Sequence, residues 1–357
     1  MDVETKVNLI KDFAEEIVKE EDLRKIFENN SKPIAYDGFE PSGISPIHFG
    51  LLRATNLRNM LKAGVKFKLY LADYFAFLNN KLGGDLDNIR NAGKYFIEVW
   101  KASGIDMDKV EIIWAKDLMD GMKYWDRFLK VGKEISLDRN LRATTIMGRR
   151  QGEKLSMGQL FYPPMQVTDI FEMNIDICQL GVDQRRANIL AREIADKLKW
   201  TKPVAAHHHI ILGLQGIKKG NTDEETLIQS KMSKSDPKSA IYMHENYEEL
   251  KNKVNSAYCP ERIEEGNPLL EYCRYIIFKN VKSIKIERPS KFGGNIEFYD
   301  YEELRKNYIN GKLHPLDLKL AVTNELEELI KPVREYFEKN KKAKELYNIV
   351  KQIKITR

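Results

Sequence analysis

The chain has 357 residues, 42% hydrophobic and 31% charged, with 59 basic and 53 acidic side chains giving a net charge of +6. That length suits one large and one smaller domain with real apolar cores, and no stretch approaches the roughly 18 apolar residues of a membrane span. The mild basicity is compatible with a polyanionic partner without requiring one.

Acids at Glu4, Asp12, Glu15, Glu16, Glu20 and Glu21 argue against an N-terminal targeting peptide. Ile10, Phe13 and Ile17 recur at helical spacing, so residues 1–30 are predicted as an amphipathic helix laid against the fold. Pro33 to Tyr36 reads as a strand leading into Gly38 and the turn Pro41-Ser42-Gly43. A helix is predicted from Ala54 to Ala63, stopped at Gly64. Phe67–Ala72 and Val110–Ala115 are near-continuous apolar runs of strand length. Residues 118–160 break the alternation and read as an insertion. Asn188–Leu198 is helical by pattern, and Val204–Leu212 resembles a further strand.

Strands alternating with helices imply parallel pairing, hence a doubly wound, Rossmann-like α/β domain over residues 1–245. Beyond it, Tyr247–Tyr258, Pro268–Phe278, Tyr301–Tyr308 and Leu316–Phe337 read as helices with few strand candidates between them. In the last, Leu320, Leu326, Ile330, Val333 and Phe337 mark an apolar face. Residues 246–357 are therefore expected to form an α-helical C-terminal domain, with a Lys-rich end from residue 339. Cys178, Cys259 and Cys273 are too few and too scattered for a disulfide framework or zinc site, which points to a reduced, cytoplasmic setting.

The most specific string is Lys231-Met232-Ser233-Lys234-Ser235, followed by Asp236-Pro237. Two lysines three apart on a flexible loop can close over a triphosphate and offset the charge that builds up as pyrophosphate leaves. Lysine suits such a clamp as a flexible point charge. A solvated Lys/Ser turn is the plainer alternative. The string is the second signature of class I aminoacyl-tRNA synthetases, and its neighbours resemble the tyrosyl enzymes of the archaeal and eukaryotic type. In order they are Tyr36 to Gly43 (YDGFEPSG), Leu71-Ala72-Asp73, Tyr162 to Asp169 (YPPMQVTD), Gly181 to Arg185 (GVDQR) and His314 to Asp317 (HPLD).

The resemblance spans roughly residues 30–330 and carries expectations for individual residues. Telling tyrosine from phenylalanine means reading one hydroxyl, both donor and acceptor, and the resemblance assigns this to Asp169 and Tyr36. Tyr162, Gln166 and Gln184 match residues that grip the substrate's α-amino group. Tyr162, Gln166 and Asp169 are spaced i, i+4, i+7, so one helical face presents all three; an incidental polar face is the alternative. Asp183 matches the acid that accepts from the ATP ribose, and Gly38, His209, Met232, Ser233 and Ser235 complete the implied ATP site. Lys231, Lys234 and His48 are the implied catalytic set. Arg185 matches a reader of the first acceptor-stem base pair. Phe292, His314 and Asp317 match anticodon contacts, where an aromatic face and a carboxylate suit an unstacked base. Phe292 could equally be core, and HPLD a helix start. Zinc at His207-His208-His209 is disfavoured because successive strand side chains alternate faces, and no metal site is expected.

The first class I signature, usually His-x-Gly-His, departs from its pattern. Aligned without gaps from Gly43 to Gly64, Pro46 stands at the first histidine. A shift of one or two residues puts His48-Phe49-Gly50-Leu51 there instead, with Leu51 replacing the second histidine. Leu and Phe cannot donate to phosphates, which leaves His48 and the backbone N–H groups of the helix start.

The implied reaction joins the tyrosine carboxylate to the α-phosphorus of ATP, then passes the tyrosyl group to the terminal adenosine of tRNA(Tyr). Magnesium accompanies the ATP, and no tightly bound cofactor is expected. A homodimer paired through 118–160 is what the family implies. Two rivals stand beside this reading. Tyr36 with Asp169 argues against a tryptophanyl enzyme of the same architecture. The altered first signature favours a tRNA-binding protein that has lost activation.

Overall fold

The computed structural model describes residues 1–149, 153–220, 222–232 and 236–354. Six strands build the main sheet: β1 (Ala14–Val18), β2 (Ile34–Phe39), β3 (Lys66–Leu71), β4 (Val110–Trp114), β5 (Ile177–Gly181) and β6 (Val204–His208). Their spatial order is β1-β6-β5-β2-β3-β4. β2 to β6 run parallel, and β1 lies antiparallel on the edge of β6. This is the expected doubly wound architecture with one added edge strand.

That edge strand corrects the N-terminal expectation. The single helix over 1–30 is instead a helix (Val3–Lys11), then β1, then a second helix (Glu20–Asn29). Lys19, in the left-handed region at φ 59°, makes the break between β1 and the second helix. Helical spacing of Ile10, Phe13 and Ile17 was a local signal. The unpaired row of β6 backbone groups is a tertiary demand, and pairing with Ala14–Val18 meets it. β6 also ends at His208, short of the Leu212 read from the sequence.

Strand side chains alternate between two apolar clusters, one on each face of the sheet. Ala35, Phe39, Phe67, Leu69, Leu71 and Ile177 join one; Tyr36, Tyr70, Cys178 and Leu180 join the other. Each large apolar side chain fully buried this way contributes roughly 1.5–3 kcal/mol. The first cluster continues into the C-terminal region through the helix Leu86–Ala102, so the helical part shares a core with the sheet.

The C-terminal region contains the helices Tyr247–Ser256, Pro268–Tyr272, Tyr301–Ile309, Pro315–Lys339 and Lys341–Gln352. It also holds a small antiparallel pair, β7 (Ile284–Ile286) with β8 (Ile296–Phe298), which an all-helical reading did not include. On Pro315–Lys339, Leu326, Ile330, Val333 and Phe337 are buried, whereas Leu320 is 43% exposed and falls outside the packed stripe. The Lys-rich end is ordered as a helix because Ala343, Leu346 and Val350 give it a face to bury. The segment 118–160 contributes the helices Met122–Lys133, Leu137–Ala143 and Met157–Leu160.

The chain lays down β2, β3 and β4 in one direction and β5 and β6 in the other, so the order reverses between β2 and β5. A crevice outside the carboxyl ends of parallel strands at such a reversal is where open α/β sheets bind ligands.

Candidate active site

A cavity of about 360 Å³ opens there, bordered by the ends of β2, β3 and β5 and by the helix Tyr162–Glu172. Pro163 and Pro164 fall in the first turn of that helix, where backbone N–H groups lack partners anyway, so they fix its start at no hydrogen-bond cost. The helix then presents Tyr162, Gln166 and Asp169 to the cavity together.

The buried end is built of hydroxyls around one acid. Asp169 is 1% exposed and accepts from Tyr70 Oη at Oδ2 and from Tyr124 Oη at Oδ1, both at 2.7 Å. Burial pushes its carboxyl up to about 7, against the pull of those two bonds. Tyr36 stands beside it, buried, its hydroxyl close enough to the Gln166 amide to feel it but without a well-formed hydrogen bond among the described residues. A buried hydroxyl left unpaired is costly, and one aimed into a ligand cavity is a recognition group awaiting its partner.

Next along the cavity, Tyr162 donates to Glu40 Oε1 at 2.7 Å, and Gln166 Nε2 donates to Gln184 Oε1 at 3.4 Å. Gln184 is held by its own donation to the Ile146 carbonyl at 3.1 Å. Together they offer a carboxylate and amide oxygens, which suit an ammonium group. Gly38 lies on the wall between them and the partly exposed end. A Cβ there would meet Tyr70 and Tyr36 only at 3.5–3.6 Å, so the missing side chain leaves room in the cavity rather than relieving a clash.

At the partly exposed end, Lys231 Nζ donates to Asp183 Oδ2 at 3.0 Å. Burial raises the Asp183 carboxyl, but Lys231, Arg53 and Gln184 outweigh it and hold it below the usual range. Gly181 makes this carboxylate's position possible, since a Cβ would come within 2.7 Å of Asp183 Oδ1 and 2.5 Å of Ile210. Met232 is buried, and its Sδ lies 3.4 Å from His48 Nδ1. Lys231 and Met232 are described; Ser233, Lys234 and Ser235 lie outside the described residues.

The first-signature region forms a π-turn, His48–Leu52, that runs straight into the helix Arg53–Lys62. Such turns are rare and concentrate at functional sites. Gly50 lets it pack, because a Cβ would sit 2.7 Å from Met243. Phe49 and Leu51 are buried, with Phe49 stacked on Trp100 and bordering the cavity, and neither side chain can donate a hydrogen bond to a phosphate. His48 borders the cavity, and so does Arg53, which the sequence reading passed over. Arg53 Nη1 pairs with buried Asp37 Oδ2 at 2.6 Å and donates to His208 Nδ1 at 3.1 Å. Burial pushes the Asp37 carboxyl up to about 7, with Arg53 opposing.

The three consecutive histidines take three separate sets of partners. His207 donates from Nδ1 to Glu16 and accepts at Nε2 from Asn188. His208 accepts at Nδ1 from Gln179 at 2.7 Å and is kept neutral by burial and by Arg53. His209 lies between Glu15 (3.1 Å) and Glu271 (3.2 Å), stacked on Tyr275, and borders a smaller cavity it shares with His48, Arg53, Asp183 and Lys231. Burial alone would lower it, but the two carboxylates raise it to about 9.

The remaining expected residues lie apart from this cavity. Arg185 opens the helix Arg185–Leu198 and pairs with Glu16 at 2.9 Å. His314 caps the helix Pro315–Lys339 by accepting from the Leu316 N–H, with Asp317 in its first turn. The Phe292 side chain lies outside the described residues.

Residues 28–331 match the family described as tRNA synthetases class I (W and Y). The chain is 44% identical over 378 residues to the tyrosine–tRNA ligase of Thermococcus kodakarensis, covering both proteins completely. It is 42% identical to the cytoplasmic tyrosine–tRNA ligase 1 of Arabidopsis thaliana, covering all of this chain and 90% of that one. The chain belongs to the tyrosyl-tRNA synthetases.

This synthetase also superposes on the Pyrococcus horikoshii tyrosyl-tRNA synthetase, crystallised with L-tyrosine. The TM-score is 0.90 at 39% identity, covering 98% of this chain and all of the other. The tryptophanyl-tRNA synthetase of Aeropyrum pernix, at 16% identity and a TM-score of 0.67, shares the fold alone. Tyrosine, ATP and tRNA are the synthetase's substrates.

Glu40, Arg53 and Tyr70, which border the synthetase cavity, and Tyr124, which packs behind Asp169, went unread in the sequence. Glu40 sits inside the quoted YDGFEPSG run, and Tyr70 shares the strand-alternation face of Tyr36. Tyr124 gave no local signal, since only the packing of Met122–Lys133 against Tyr162–Glu172 brings it to Asp169.

Proposed function

We propose that this synthetase makes tyrosyl-adenylate in the cavity between β2 and β5, with Asp169 and Tyr36 reading the phenol. Tyr162, Gln166 and Gln184 hold the ammonium, and Gly38, Asp183, His209 and Met232 face ATP. Ser233 and Ser235 act with the loop that closes over it. The tyrosine carboxylate attacks the α-phosphorus, and pyrophosphate leaves with its charge met by Lys231, Lys234 and His48. Positioning and electrostatics do this work, as in other phosphoryl-type transfers. Magnesium enters with ATP as part of the substrate; among the described residues no group of three or more His, Cys, Asp or Glu is placed to hold a metal ion.

The observation that carries the reading is one cavity with a buried acid and an unpaired phenol at one end and a lysine–aspartate pair at the other. Tyrosine-dependent ATP–pyrophosphate exchange without tRNA tests it. Exchange is expected despite the altered first signature. Bound tyrosine and tRNA without exchange would turn the reading to a tRNA-binding paralogue.

The second step delivers the tyrosyl group to tRNA(Tyr), with Arg185 at the acceptor stem and Phe292, His314 and Asp317, in the region 246–357, at the anticodon. A homodimer is supported by exposed apolar side chains on the 118–160 helices. Met122, Trp125 and Leu129 lie along one stripe, with Leu137, Leu141 and Met157 nearby. Leu129→Glu is expected to halve the mass seen by sedimentation, and an unchanged mass would remove this face from the interface. No helix among the described residues is long and apolar enough to cross a membrane. Three free cysteines and a relative named as cytoplasmic support a cytoplasmic location.

A further inference from the structure

Asp169 has donors on both oxygens before any substrate arrives, Tyr70 from β3 and Tyr124 from the helix Met122–Lys133. Tyr70 borders the cavity, whereas Tyr124 is 2% exposed and packs behind the acid. Phenylalanine would fill nearly the same volume at either position. A hydroxyl buried there is a cost unless it finds an acceptor. An ionised carboxylate only accepts, with lone pairs to spare for a third donor, while a protonated one would turn a donor of its own toward these hydroxyls.

We infer that Tyr70 and Tyr124 form a clamp that holds Asp169 as an oriented, ionised acceptor for the substrate phenol. Tyr124 is thereby a positioning residue for tyrosine-over-phenylalanine selection that does not itself touch the substrate. The inference rests on Asp169 being the phenol reader proposed above.

The groups around the acid leave this task to the clamp. β2 brings Tyr36, and β5 brings the buried thiol of Cys178. Tyr162 and Gln166 lie toward the amino end on Asp169's own helix. Glu172, on that helix, opposes ionisation, although Lys123 (3.5 Å) and Arg127 (2.6 Å) from Tyr124's helix pair with it. Asp73, after β3, is taken up by Arg90. Of the influences on Asp169, burial and Glu172 raise its carboxyl and the two phenol bonds alone lower it. Loss of one bond therefore moves the carboxyl upward from about 7, toward protonation at neutral pH.

Tyr124→Phe in the full-length protein tests this by pyrophosphate exchange with tyrosine and with phenylalanine from pH 6.5 to 9. The ratio of kcat/KM for the two amino acids is expected to fall about tenfold at pH 7 and to recover toward pH 9. The loss should lie in the tyrosine KM more than in kcat, with the phenylalanine profile unmoved. An unchanged ratio, or a loss equal at every pH, would overturn the clamp. Tyr70→Phe is expected to shift the tyrosine limb the same way, and it decides the matter if Tyr124→Phe no longer binds ATP. Asp169→Asn separates the two layers. Intact selectivity there means Asp169 is not the reader, while a collapse there with both Phe variants normal removes only the clamp.

Discussion

The two ends of the cavity are built on opposite plans. At the phenol end Tyr70, Asp169 and Tyr124 are already engaged with one another, inside a core cluster and supported by strands and a helix. At the phosphate end the charged groups are engaged with one another. Lys231 is on Asp183 and Arg53 on Asp37, while His48 lies against the uncharged Met232 thioether. The first plan offers an acid already oriented before the substrate phenol arrives. The second holds cations in reserve, each with a partner to exchange when a triphosphate arrives. Selection is thus assigned to groups set in a packed core, and chemistry to cations that would exchange one partner for another.

Breaking the phosphate end should cost most. Lys231→Ala is expected to slow adenylate formation by about 10²–10³, the usual loss for one preorganised charge, with tyrosine affinity nearly unchanged. Lys234→Ala should behave likewise in single-turnover assays, and a defect confined to tyrosine binding would sink the division of labour. At the other end, Asp169→Ala should lower tyrosine-over-phenylalanine selectivity by about 100-fold, since it removes a charged acceptor and strands two phenols. Equal selectivity before and after would take Asp169 out of the pocket.

Arg53 sharpens the comparison through stability. Arg53→Met leaves Asp37 buried without its cation and is expected to cost about 3 kcal/mol in denaturant unfolding at pH 8. Adding Asp37→Asn should restore most of this. If it restores none, the pair is not what holds Arg53 at the cavity. His209 gives the smallest effect and a pH signature. Its folded value, about 9, lies above that of a free histidine. Its contribution is therefore complete below pH 6.5 and lost as pH rises through 9, on the order of 2 kcal/mol. Stability measured across that window should fall in the parent chain and flatten in His209→Gln.

The sequence carried what chemistry and period make local. The strands at Ile34, Lys66 and Val110 and the helix presenting Tyr162, Gln166 and Asp169 were readable because one face or one run defines each. β1 was not, because its pairing with β6 is settled by a neighbour far along the chain. β5 escaped because Gln179 interrupts the apolar run of Ile177–Gly181, although every residue of the strand is buried. At the first signature His48 borders the cavity, and so does Arg53, which lies outside the motif and showed itself only once the π-turn placed it. The clamp on Asp169 combines both difficulties, with Tyr70 half visible in its strand and Tyr124 visible only in space.

The edge strand bears on how the molecule is made. Glu16 on β1 bonds His207 on β6, and the two are 191 residues apart in sequence. During synthesis the first strand to leave the ribosome is therefore the last of the main sheet to find its place. It waits while the parallel strands are laid down, because closing so long a loop is repaid only once its partner exists. A nascent chain stalled before residue 204 should carry its N-terminal segment unpaired and open to protease, and one long enough to bring all of β6 clear of the ribosome should not.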